Sequence, residues 1–225
     1  MAKNIGIEAL KETTITAKVV GDTDLILHKK TRSFEREELF KQTHPKGTTI
    51  PENMDQKKTY NMWEKLITSI TWRDPIVFHD DDYSLYSREE WEDYMQNNAP
   101  CILQNAIKGA MYEAFVTFFK ESTGKNGTDI KRAISFNRRV YPIKFDSVGW
   151  DLKLVPNTGI AKTNVRCEQN VFSGWSFDLS LTFPTHVIPE KTVIEMLMAT
   201  GKYIGLGTQH GNGFGRFHIE DVRIS

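Results

Sequence analysis

Hydrophobic and polar positions alternate most strictly near the middle of the second half of the chain. Trp175, Phe177, Leu179, Leu181 and Phe183 interleave with Ser176, Asp178, Ser180 and Thr182, the period-two pattern of a strand with one buried face. A first strand is predicted over residues 14–20, T-I-T-A-K-V-V, ending at Gly21-Asp22. A helical period takes over from Pro100. Ile102, Leu103, Ala106, Ile107, Ala110, Met111, Ala114, Phe115, Phe118 and Phe119 recur at i, i+3, i+4, i+7 spacing until Ser122-Thr123-Gly124, which predicts a core helix. Another helix is predicted from Pro189 to Gly201. It has Glu190 in the first turn, Val193, Ile194, Leu197 and Met198 along one face, and Gly201 as its C-terminal cap. A final strand follows, with Phe217 and Ile219 to one side and Arg216 and His218 to the other. Two hairpins complete the pattern: residues 140–145 with 150–155, an accessory pair turning at 146–149, and residues 163–168 with 175–183.

Residues 33–98 break this rhythm, being charged and interrupted by Pro45, Gly47, Pro51 and Pro75. Two short helices are predicted there, 56–68 and 87–96, the second with Ser87 and Glu90 as a capping box. Between them W-R-D-P-I-V-F-H-D-D-D-Y-S-L-Y reads as a hairpin turning on Asp80, Asp81 and Asp82. That triplet with His79 is either a plain turn or a cation site; the plain turn is preferred and no metal is assigned. The fold class expected is α+β, a ferredoxin-like (RRM-like) β-α-β-β-α-β core. The core and its accessory hairpin would comprise residues 1–32 and 99–225, with 33–98 an inserted lobe after the first strand. A chain of 225 residues has room for one sizeable core of this kind.

Candidate chemistry concentrates in K-Y-I-G-L-G-T-Q-H-G-N-G-F-G-R-F-H-I, residues 202–219. Gly205, Gly207, Gly211, Gly213 and Gly215 are five of the fifteen glycines. Such a loop offers backbone N–H groups to an anion, with Arg216, His210 and Lys202 nearby to add charge. The alternative is a glycine-rich turn that only lets the last strand join a sheet. Neither nucleotide-binding glycine spacing is present. His28, Lys29, Lys30 and Arg32 form a second basic cluster, able to contact phosphate or to be a solvated loop. Arg138 and Arg139 close a third, residues 125–139, where Phe136 stands among basic side chains as in phosphate contact plus base stacking. Lysine plus arginine equals aspartate plus glutamate, 29 each. No bulk attraction to nucleic acid follows, and basic residues would have to be segregated on one surface. Cys101 and Cys167 lie in different elements and read as reduced thiols. With no apolar leader or membrane span in the sequence, a cytoplasmic protein is expected.

Three motifs give the chain a resemblance to the RAMP superfamily, the RNA-binding proteins of CRISPR effector complexes, and in particular to phage-encoded stand-alone homologues of their backbone subunit. V-V-G-D-T-D-L-I-L-H-K-K is similar to the family's first-strand exit. V-R-C-E-Q-N-V-F-S-G-W-S-F, with Arg166, Phe172 and Trp175, is similar to the phage group's central hairpin. A-T-G-K-Y-I-G-L-G with N-G-F-G-R-F resembles the C-terminal glycine-rich loop. The resemblance implies that Gly205, Gly207, Gly213 and Gly215 approach phosphate, with Arg216 beside them and His28 and Lys29 near the same surface. It places Arg166 and Trp175 on the central hairpin. It implies head-to-tail assembly along a strand, with 33–98 reaching a neighbour. It implies no cofactor and no membrane, and for a phage protein the host cytoplasm.

The leading expectation is a non-catalytic protein that binds single-stranded RNA or DNA and oligomerises along it. One alternative is a metal-independent endoribonuclease with His28 as general base. Another is a self-assembling protein, or an inhibitor that mimics an effector subunit.

Overall fold

The computed structural model describes residues 12–79, 82–156 and 164–225. In chain order its elements are β1 (Glu12–Gly21), β2 (Leu25–Leu27), α1 (Arg32–Thr43), α2 (Met62–Thr68), β3 (Thr71–Trp72), α3 (Arg88–Asn97) and β4 (Pro100–Leu103). Then come α4 (Gln104–Ala114), α5 (Lys120–Thr123), α6 (Gly127–Ala133), β5 (Ser135–Phe136), β6 (Val140–Pro142), β7 (Ser147–Pro156) and β8 (Asn164–Ser173). Last are β9 (Ser176–Pro184), α7 (Glu190–Ala199) and β10 (Phe217–Ile224). A π-helical turn, Phe115–Phe119, joins α4 to α5, and a second, Thr200–Ile204, extends α7.

This is a mixed α+β structure with antiparallel sheets. The largest has strand order β10-β1-β9-β5; the others are β2-β8-β7 and β3-β4-β6. On the large sheet Ile15, Val19, Phe177, Leu179, Leu181 and Phe183 face inward. They share one buried cluster with Ile107 and Met111 of α4, with Phe115 of the π-turn that follows it, and with Val193, Met196 and Leu197 of α7. The alternation read from the sequence therefore sets this sheet: one face is apolar and packed, the other polar and open. The same hydrophobic cluster continues into residues 33–98 through Leu66, Ile67, Trp72, Tyr83 and Trp91.

Helix α1 was not expected, because its apolar stripe is weak and the only buried residue in it is Ser33. It is specified at its N-terminus. Thr31 Oγ1 accepts from the Phe34 N–H, and the wholly buried Glu64 carboxylate of α2 accepts from the Ser33 N–H and hydroxyl and from Thr68 Oγ1, each at 3.0 Å. A negative charge at a helix N-terminus opposes the macrodipole favourably. The helix expected over 56–68 begins only at Met62, where Asn61 Oδ1 accepts from the Trp63 and Glu64 N–H groups. The capping residue, rather than the apolar run, decides the start. Ser87 caps α3 as read from the sequence, accepting from the Glu90 N–H at 3.2 Å.

Several expectations are corrected. Pro100–Leu103 is strand β4, and the core helix starts at Gln104. Residues 101–103 pair with Val140–Pro142, and buried Cys101 is paired on its other side with Thr71. The accessory hairpin is paired differently: β6 joins β4, and β7 pairs with β8 along its whole length. β8 and β9 do not form a hairpin, although only Gly174 and Trp175 separate them; they belong to different sheets. Gly174, at φ +62°, makes this corner, where a side chain would collide with Asp146. Trp175 plugs the corner, fully buried, donating from Nε1 to the Thr23 carbonyl at 2.7 Å. The hairpin expected around residues 80–82 is absent at its flanks: β3 pairs with β4, and Asp82 caps a short 3-10 turn, Tyr83–Leu85. Asp80 and Asp81 lie outside the described residues. His79 bonds Glu90 instead, Nε2 to Oε1 at 2.8 Å. Gly201 is not the cap of α7. The helix runs on through the π-turn to Gly205, and Gly201 lies against the Phe217 backbone, where a side chain would not fit. Met198, expected on the apolar face, is 57% exposed.

Candidate nucleic-acid interface

The glycine loop is stitched to the exit of β1 and to β2 by its own backbone. Thr208 N–H donates to Ile26 O at 2.9 Å, Gly215 N–H to Asp24 O at 2.8 Å, Leu206 N–H to Gly215 O at 2.9 Å and Gly205 N–H to Thr200 O at 2.7 Å. Thr23 Oγ1 donates to Gly213 O and accepts from the Arg216 N–H. Added Cβ atoms would strike Phe214 O at Gly205, Ile26 O at Gly207 and Leu206 O at Gly215, whereas Gly211 and Gly213 look onto open space. The glycines therefore let backbones pack together. The N–H groups of Gly205, Leu206, Thr208, Gly213, Gly215 and Arg216 are occupied within the chain, so the loop acts as a frame that fixes Arg216.

A polar chain runs from this frame to His28. Gln209, held at φ +60°, donates from Nε2 to the side-chain oxygen Oε1 of Gln169; Gln169 Nε2 is 3.5 Å from Cys167 Sγ, and that sulfur is 3.7 Å from His28 Nε2. Beside it the buried Glu168 accepts from Tyr60 Oη. A non-glycine residue in the left-handed region is strained and is tolerated where its side chain is held. Burial, seconded by the Lys65 ammonium, pushes the His28 pKa below its ordinary value. Both favour the neutral imidazole, whose Nδ1 is enclosed and whose Nε2 is directed at a thiol. Lys29 and Lys30 are exposed beside it, and Lys30 lies over the Phe34 ring at 5.1 Å. Arg166 lies in β8 opposite Leu154.

The open face of the large sheet carries Thr14, Thr16 and Lys18 on β1, Asp178, Ser180 and Thr182 on β9, and His218 and Glu220 on β10. Simple alternation along β10 would place Arg223 on the opposite face, with Phe217 and Ile219. A β-bulge prevents this: between the pairs Lys18–Glu220 and Thr16–Arg223, β1 advances two residues while β10 advances three, and Asp221 sits at φ +52°. Arg223 thereby comes to a groove of about 480 Å³ on the open face, which it lines with Thr16, Lys18, Arg138, Asp178 and Ser180. Arg138 and Arg223 make no ion pair among the described residues; Lys18 is 3.4 Å from Glu220. Further along the face, His218 is clamped between Asp22 (2.6 Å) and Glu220 (3.2 Å), which hold its pKa above the ordinary value.

The expected basic residues thus fall in three places: His28, Lys29 and Lys30 at the β2 exit, Arg138 on the open face, and Arg216 at a separate cleft on the outer edge of β10. Arg139 is exposed near Arg138, its carbonyl accepting from the Gln104 N–H. Lys18 and Arg223 were missed. Alternation with Thr14 and Thr16 places Lys18 on the face, but Arg223 carries no sequence signal because the bulge alone decides its side. No cluster of metal-ligating side chains occurs among the described residues, and no helix among them is long and apolar enough to cross a membrane.

No protein-family model matches the chain, and no curated protein matches it in sequence. Among solved structures it is similar to a chain in the cryo-EM structure of the Type III-B Cmr-beta complex bound to cognate target RNA. The TM-score is 0.46 at 13% identity, over 96% of this chain and 61% of the length of that one.

Proposed function

We propose that this protein is a non-catalytic single-stranded nucleic-acid-binding protein, for RNA or DNA, that uses the open face of the large sheet and assembles along the strand. The observation that carries the reading is the groove in which Lys18, Arg138 and Arg223 converge with the Thr16 and Ser180 hydroxyls. Guanidinium groups with no ion pair among the described residues, set beside hydroxyl groups, suit phosphodiester oxygens. Asp178 and Asp221 also line the groove, so the excess of positive charge is small and the interaction would contact few phosphates. In a chain of zero formal net charge, such segregation is what phosphate binding requires.

The strand order β10-β1-β9-β5, with α4 to α6 leading into β5 and α7 into β10, is the order a ferredoxin-like β-α-β-β-α-β chain adopts. We read the fold in that way, with residues 33–98 as a lobe inserted after the first strand. That lobe would reach the neighbouring copy in a head-to-tail array.

The test is fluorescence anisotropy with a labelled oligouridylate and oligothymidylate across a salt series. Two to three phosphate contacts predict a slope of log K on log salt of about −1.4 to −2.1. The double variant Arg138→Glu/Arg223→Glu should lose roughly tenfold or more in affinity with an unchanged melting temperature. Equal affinity in the double variant would remove the open face from consideration. For assembly, a large species with a high 260/280 absorbance ratio should collapse to monomer on nuclease treatment; a large species with a protein-only ratio would contradict assembly on nucleic acid.

A further inference from the structure

A second cavity, a half-open cleft of about 620 Å³, lies between α7 with its π-turn and the outer edge of β10. Its walls are mostly apolar, from Met198, Ala199, Phe217 and Ile219; Arg216 and Lys202 supply positive charge, and Asp22 and Glu195 line it as well. This size and mix is that of a small-molecule site.

Three independent features converge on it. The π-turn Thr200–Ile204 is a rare, locally costly conformation that recurs at functional sites, and it carries Lys202 and Tyr203. A second π-turn, Phe115–Phe119, brings half-exposed Phe118 within 5.1 Å of half-exposed Tyr203, ring centre to ring centre. Both helices therefore deviate from α geometry where their exposed aromatic residues meet at the rim. The third feature is Arg216. Its Nη2 donates to the His210 carbonyl at 3.2 Å, but its enclosed Nη1 has no acceptor among the described residues. A guanidinium donor left without an acceptor is costly; with Nη1 closed off in this structure, an anion in the cleft would reach it once the side chain turns outward.

We propose that this cleft is a nucleotide-binding site, taking a base against Tyr203 and Met198 and a phosphate at Arg216 and Lys202. Lys202 Nζ now lies 5.2 Å from the centre of the Tyr203 ring. It occupies the place a base would take, and its flexible stem lets it swing towards the phosphate. The alternative occupant, an added peptide strand on the β10 edge, is disfavoured because the bulge at Asp221 interrupts that edge. The same chemistry fits a free mononucleotide or one nucleotide of a bound strand, and it lies on a different surface from the open-face groove.

The experiment follows the Met198 methyl resonance of the full chain by NMR during titration with adenosine 5′-monophosphate, with adenosine, and with a short oligoadenylate. A saturable shift with the monophosphate identifies a free-nucleotide site. A shift with the oligonucleotide alone identifies a nucleotide of the strand. Adenosine should bind roughly tenfold more weakly than its monophosphate. Tyr203→Ala should weaken binding by roughly tenfold, within the range for loss of base–aromatic stacking, and Tyr203→Phe should restore it. Since the monophosphate is tested alone, and again in Arg138→Glu/Arg223→Glu, failure of the open face leaves this result readable. A Met198 resonance unmoved by the oligonucleotide, and by the monophosphate to about 10 mM, above any Kd of interest, would overturn the proposal. So would equal shifts in Tyr203→Ala, or shifts that follow protein concentration without nucleotide and so mark a second copy in the cleft.

Discussion

Gly207 faces the Ile26 carbonyl oxygen so closely that no Cβ fits between them, and the next residue's N–H, that of Thr208, donates to the same oxygen at 2.9 Å. This contact locks the glycine loop to β2. Gly207 is also at φ +77°, so Gly207→Ala combines collision with strain. It should cost at least ~2 kcal/mol in urea denaturation. Gly211→Ala, in open space without a left-handed backbone, should stay within about 0.5 kcal/mol. Equal costs at the two positions would refute the locking role.

Glu64 and Ser33 make the second lock, tying α1 to α2 through a buried carboxylate that accepts from a backbone amide and two hydroxyls. Glu64→Ala leaves those donors unsatisfied and should destabilise by about 3 kcal/mol. Hydrogen exchange should show α1 opening first. Uniform loss of protection would instead mean that α1 is held by packing.

Asp221 occupies a left-handed backbone position that glycine tolerates better. Asp221→Gly should therefore stabilise by about 1 kcal/mol by thermal or urea melts and keep Arg223 on the open face. Deleting Asp221 removes the extra residue, so Arg223 follows Glu220 by two positions in a regular strand and should keep its place opposite Thr16 and its part in strand binding. Loss of binding after deletion would show that the bent geometry of the bulge, and not register alone, places Arg223.

His218 and His28 should titrate in opposite directions from the ordinary value of 6.5. The Asp22 and Glu220 hydrogen bonds raise His218. Its contribution to stability is complete below 6.5 and is lost as pH rises through the folded value; being half-exposed, it is screened and small. His28 is lowered, chiefly by burial. The unfolded chain takes its proton first as pH falls below 6.5, so stability declines from there towards the folded value. Ring-proton NMR titration reads both, and Asp22→Asn should lower only His218.

The sequence specifies three of the four strands of the large sheet and most of the two helices packed on it. Strict alternation in residues 175–183, β-branched density in 14–20 and helical spacing in 104–119 are local patterns with one burial solution each. It also marked the glycine loop as a place of close backbone approach. What the tertiary structure decided are the partners. Pro100 to Leu103 satisfies a helical period equally well, and only the presence of Thr71–Trp72 and Val140–Pro142 on either side makes it a strand. β8 and β9 are adjacent in sequence, yet a corner at Gly174 sends them to different sheets. The candidate surfaces follow the same division. Arg138 and Arg216 are legible as cations near special segments, but a one-residue bulge sets the face of Arg223 and two π-turns bring Phe118 to Tyr203. Such displacements depend on long-range pairing energies, which local hydrophobic spacing does not encode.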